Sequence, residues 1–203
     1  MEFAAGYYKD TALLKYNQAI HMVSNPLVAP TRKERLVRAI GEMNNALGIF
    51  QKINDQKMIE NCKAWIARFE ANILWISAQK LGGEEEQRIR LDAIRKSGES
   101  ILFFRNAGNT KDRKLEEANR EKWLGIVAIH QLDFEGCKSH FGAGLKVAEQ
   151  LNAENQVSWF QAAIEEVEAW ELAASRFIDL KEVNFCQIAE KFRKAEKGYE
   201  KAQ

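Results

Sequence analysis

The chain has 203 residues, 46% of them hydrophobic and 29% charged, and its 30 basic and 29 acidic side chains leave a formal net charge of +1. That composition is that of a globular protein with room for a sizeable core, and the balanced charge excludes a global field that would draw the chain to nucleic acid or to an anionic membrane. Two prolines and twelve glycines leave long stretches open to uninterrupted helix and are too few turn residues for a β-rich fold.

The first periodic stretch spans 4–23. The N-terminal Met1-Glu2-Phe3-Ala4-Ala5-Gly6, where it begins, has neither the basic segment nor the apolar run of a secretory leader, and the stretch stops at Ser24-Asn25-Pro26. Pro30-Thr31-Arg32-Lys33-Glu34 opens a second helix, 32–53, with Thr31 as its cap and Glu34 placed to complete a capping box. A turn at Asn54-Asp55 leads into the third, 56–81, where Ile59, Cys62, Ile66, Phe69, Ile73 and Ile76 recur every three or four residues. Gly82-Gly83 separates it from the fourth, 84–105, whose first turn places Glu84, Glu85 and Glu86 at the positive end of the helix dipole.

Ala107-Gly108-Asn109-Thr110 precedes the fifth helix, 112–131, and Asp133 precedes the sixth, 134–150. Leu151-Asn152-Ala153-Glu154-Asn155 leads to the seventh, 155–178, with the stripe Phe160, Ala163, Val167, Trp170, Ala174 and Phe177. A turn near Val183-Asn184 leaves an eighth helix over 184–202. The fold class is therefore all-α, and no segment reaches the roughly 18 uninterrupted apolar residues of a membrane span. Cys62, Cys137 and Cys186 are odd in number and lie within apolar helical patterns, which points to free buried thiols and a reducing, cytoplasmic setting.

A small residue, a bulky one four later, and a small and an aliphatic one at seven and eight recur through the chain. The pattern reads Ala39-Met43-Ala46-Leu47, Ala93-Ser97-Ser100-Ile101, Cys137-Phe141-Gly144-Leu145 and Ile188-Phe192-Ala195-Glu196, with first members 54, 44 and 51 residues apart. Self-similarity over a few tens of residues is the mark of stacked helical hairpins. Eight antiparallel helices then form four hairpins, roughly 1–53, 54–107, 108–151 and 152–203, within a single domain over 1–203.

Leu124-Gly125, Asp133-Phe134, Cys137, Phe141 and Leu145 give the third hairpin its character, and with these residues it resembles a tetratricopeptide repeat. The last hairpin matches in its second half, through Asn184-Phe185, Ile188, Phe192 and Ala195, and Ala12, Tyr16, Ala19 and Ile20 repeat the second-helix spacing near the N-terminus. Three features depart from the family: hairpins longer than its roughly 34 residues, no terminating proline in hairpins two to four, and serines at the bulky and small positions of hairpin two. The resemblance implies a tetratricopeptide-like α-solenoid whose first helices line a groove for a peptide or helix of a partner. On hairpin three the family's groove positions fall on Asn119, Lys122, Ile126 and His130; of the five tryptophans, Trp123 and Trp159 are the groove candidates, and Trp65 and Trp170 the core ones.

Catalytic and metal signatures are absent from the chain: it has no HExxH, paired CxxC, P-loop or GxSxG. Gly142-Ala143-Gly144 has no strand before it and reads as a close helix crossing. His130 and His140 flank the turn at Asp133, but no nucleophile or orienting group accompanies them. From Glu154 to Ser175 five acids occur without a Lys or Arg, which reads as a solvated face or a surface for a basic partner. The expectation is a non-enzymatic protein-interaction module that uses no cofactor or metal and binds a protein or peptide but neither nucleic acid nor membrane. Its alternatives are a regulatory or sensor segment of a larger protein, or a structural helical protein that forms homo-oligomers through its C-terminal helix.

If Phe141 is the interlocking aromatic of its hairpin, Phe141→Ala should cost about 3–5 kcal/mol in chemical denaturation. A loss under about 1 kcal/mol would place the ring at the periphery.

Overall fold

A computed structural model of the chain describes residues 2–179 and 185–202, with side chains described over 6–174 and 186–202. Eight α-helices run through these residues: α1 (Glu2–Met22), α2 (Arg32–Lys52), α3 (Gln56–Ala78), α4 (Gly83–Asn106), α5 (Thr110–His130), α6 (Phe134–Gln150), α7 (Glu154–Asp179) and α8 (Phe185–Lys201). No strand occurs among the described residues, and no helix there is long and apolar enough to cross a membrane. The turn expected near Val183-Asn184 and the side chains of Phe177 and Phe185 lie outside the described residues.

Local chemistry accounts for the helix ends. Thr31 caps α2 through its side chain, which accepts from Glu34 N–H, while the Glu34 carboxylate accepts from Thr31 N–H, a complete capping box. Helix α3 stops at Ala78, short of the expected Leu81. Helix α5 starts at Thr110 because the Asn109 side chain accepts from Asp112 N–H.

Four turns share one construction, in which the residue that closes one helix also opens the next. The second residue after the helix adopts a left-handed conformation, at Asn54 (φ 54°), Gly108 (φ 69°), Leu132 (φ 58°) and Asn152 (φ 51°). The following N–H then reaches back five residues: Asp55 to Phe50 (3.1 Å), Asn109 to Phe104 (2.9 Å), Asp133 to Ala128 (3.0 Å) and Ala153 to Ala148 (3.0 Å), the 6→1 pattern of a Schellman motif. The carbonyls of Asp55, Asn109, Asp133 and Ala153 in turn accept the first bonds of α3, α5, α6 and α7.

The chain divides within α5 into two compact units, Met1–Glu116 and Glu117–Gln203. In the first, Ala12 and Ala19 of α1, Leu36, Ala39, Met43, Ala46 and Phe50 of α2, and Ile59, Cys62 and Phe69 of α3 form one buried cluster. Trp65 is half-buried beside it, its indole N–H donating to Tyr16 Oη at 2.8 Å and its ring edge-on to Phe104. Burial pushes the Tyr16 hydroxyl pKa well above its ordinary range.

A buried carboxylate joins three helices of this unit. Glu116 is fully buried; its Oε1 accepts from Ser97 Oγ at 2.6 Å and its Oε2 lies 2.9 Å from Arg68 Nε, while the Arg68 guanidinium stacks 4.8 Å from the Trp65 ring. One turn on, the equally buried Ser100 donates to the Ala64 carbonyl at 2.9 Å. The serines that break the repeat pattern in α4 therefore stand where a buried anion and a helix backbone need hydroxyl donors.

In the second unit, Cys137, Phe141 and Ala148 of α6 pack with Ala118 and Ala128 of the chain's fifth helix and with Phe160, Ala163 and Val167 of α7. The Phe141 ring lies over Gly125, where a Cβ would run into it, and Phe160 covers Gly144 in the same way. The glycines of Gly142-Ala143-Gly144 thus divide: Gly144 permits a close crossing, and Gly142 has open space around it. Burial pushes the Cys62 and Cys137 thiols up to about 12. Cys186, expected to be buried, is exposed on α8.

Leu132 carries a side chain in a backbone region that costs an L-residue about 1–2 kcal/mol, and it is 74% exposed, so its burial contributes little in return. Leu132→Gly should therefore stabilise the protein by about 0.5–1 kcal/mol, seen as a higher urea midpoint at unchanged m-value. A lower midpoint would show that the turn is unstrained.

Candidate functional site

A concavity of the second unit lies where α5 and α7 run side by side. Ala118, Asn119 and Lys122 of α5 and Asn155, Gln156, Trp159 and Phe160 of α7 line a cavity of about 160 Å³, with Ala202, just past the end of α8, completing it. Both helices use residues three and four apart, the spacing that puts side chains on one helix face. The Lys122 ammonium sits 3.8 Å from the centre of the Trp159 ring, a cation–π contact joining the two helices. Trp159 is held in turn by Phe141 at 5.5 Å and Phe160 at 5.3 Å, both edge-on, and by Tyr199 at 6.0 Å.

Three of the residues named from sequence, Asn119, Lys122 and Trp159, meet in this cavity. The other three do not line it. Trp123 is 3% exposed and turned into the core, which leaves it no surface to offer. Ile126 is partly buried against the cluster around Phe141, and His130 is exposed in the last turn of α5. Asn155 and Gln156 complete the lining without having been singled out; their signal was their place one turn before Trp159 on the same face.

The tryptophans also depart from expectation at the other end of α7. Trp170, expected in the core, is 50% exposed and packs edge-on against Phe192 of α8 at 5.2 Å. His140, on α6, has its Nδ1 2.8 Å from Glu121 Oε2 and is thereby tied to α5.

The acidic run of α7 meets bases from its own neighbours. Lys191 of α8 bridges Glu165, at 3.2 Å, and Glu168; Lys138 of α6 binds Glu171 at 2.9 Å and Glu135 at 2.7 Å. Tyr199 donates its hydroxyl to Glu166 at 2.6 Å, and burial first, then this bond, pushes its pKa well up. Bonding to Glu168 raises the Lys191 pKa, and bonding to Glu135 and Glu171 raises that of Lys138, each opposed by partial burial. Because both are raised, the stability they contribute is complete below the ordinary lysine range and is lost only as pH climbs through the raised values. Four of the five acids thus join α7 to α6 and α8 and do not form a solvated face or a surface awaiting a basic partner.

No protein-family model matches the chain, and no curated protein or solved structure matches it significantly.

Lys191→Met keeps the aliphatic stem and removes the charge from between two carboxylates. It should cost about 1 kcal/mol at low ionic strength and less in high salt, measured by urea denaturation at both. A midpoint that does not move at low salt would show that apolar packing alone joins α8 to α7.

Proposed function

We propose that the chain is a non-enzymatic protein-interaction module, a tetratricopeptide-like array of helical hairpins that holds a peptide or helix of a partner protein. The observation that carries this reading is the meeting of Asn119, Lys122 and Trp159 in one cavity between two successive first helices, α5 and α7. The resemblance implies ligand contacts on such helices, and the Gly125–Phe141 and Gly144–Phe160 crossings supply the close packing its repeats use. The lining is that of a recognition surface: three amide side chains, one ammonium and an indole over an apolar floor of Ala118, Phe160 and Ala202. It contains no carboxylate, histidine, serine or cysteine to pair as nucleophile and base.

The surface is also rigid. The Trp159 ring is fixed by three aromatic neighbours and the Lys122 ammonium, so a ligand would meet a preformed wall and lose little entropy in ordering it.

Selection of a displayed random-peptide library on the full chain tests the proposal. Enriched sequences should bind Asn119→Ala or Lys122→Ala about fivefold or more weakly than wild type, with both variants folded as judged by circular dichroism. Failure to enrich any sequence, or equal binding to both variants, would remove the cavity as the binding site.

A further inference from the structure

Gln156, in the lining of the α5–α7 cavity, carries an acceptor that the described residues do not satisfy. Its Oε1 is buried without a hydrogen-bond partner among the described residues, although buried acceptors are ordinarily satisfied. It belongs to the lining, beside two further amides, Asn119 and Asn155, and an apolar floor. A ligand that brought a donor to this atom would meet a need the fold leaves open.

Size and charge narrow what that ligand is. At about 160 Å³ the cavity falls below the roughly 300–1,000 Å³ of sites for cofactors and drug-sized molecules, so it fits one side chain and the peptide group beside it, not a nucleotide or a lipid. The single charged group of the lining, the Lys122 ammonium, lies against the Trp159 ring, so recognition falls to the amides and the apolar floor. An aliphatic side chain matches that floor, and the main-chain N–H next to it matches the orphaned oxygen.

We infer that the cavity takes one uncharged aliphatic residue of an extended peptide segment, which donates its main-chain N–H to Gln156 Oε1 and lays its side chain against Trp159, Phe160 and Ala202. This rests on the peptide-binding reading above and adds the residue class and the bond that selects it.

The test titrates the 15N-labelled full chain with N-acetyl-leucine N′-methylamide and with the same compound methylated on the leucine nitrogen. The first probe should shift the side-chain amides of Asn119, Asn155 and Gln156 and the Trp159 indole N–H, and it should bind about three- to tenfold more tightly than the second. In Gln156→Leu, folded as judged by its melt, the difference between the probes should vanish. Equal affinities for wild type would overturn the proposed bond, and tighter binding of N-acetyl-leucinate than of the neutral probe would overturn the uncharged class. If neither probe shifts these signals while a library-selected peptide does, the residue class is wrong and the binding reading survives; if the selected peptides leave them unmoved too, both fall.

Discussion

A helix whose last turn is closed by the same residue that caps its successor has no slack in which to wander. At Asp55, Asn109, Asp133 and Ala153 the main-chain N–H completes the end of one helix and the carbonyl begins the next. The reversal is thereby compressed into the three residues of a Schellman ending, and the two helices must run back against one another at once. Their contact surfaces then have to tolerate a short separation, which is why small residues lie where they do. Gly125 under Phe141 and Gly144 under Phe160 are the outcome: a missing side chain on one helix and a ring on the next.

Polar groups follow the same geometry in the first unit. Helices that approach closely enclose whatever they carry, and the fully buried Glu116 is a costly thing to enclose. Arg68 and Ser97 make it tolerable, and the Arg68 side chain in turn rests on Trp65, which binds Tyr16. The serines of α4 look like a decayed repeat when that helix is read alone. Beside Glu116 and the Ala64 carbonyl they are the hydroxyls the site requires.

What could be read from the chain, and what could not, divides along one line. Periodicity and capping are local, so eight helices, the Thr31 capping box and the Phe141 crossing were legible. Which helix covers a given stripe is not local. Trp170 sits on the apolar stripe of α7 yet emerges half exposed at the edge of Phe192, whereas Trp123, off the expected core, is enclosed. The acids of α7 looked unopposed because their partners, Lys138 and Lys191, belong to other helices. Three of the eight residues that line the cavity were legible: Asn119, Lys122 and Trp159 could be placed on α5 and α7, but Gln156 becomes notable only once its carbonyl oxygen is seen enclosed without a donor.

The cysteines carry a practical consequence. Two thiols, at Cys62 and Cys137, are enclosed and stay protonated far above neutrality, whereas Cys186 stands on the surface of α8. Thiolate is the form that reacts with electrophiles, so a maleimide fluorophore would attach to the native polypeptide at one place without mutagenesis. That attachment point lies near the start of the helix whose far end borders the Trp159 cavity, which makes the unmodified protein its own carrier for an optical reporter of how α8 moves.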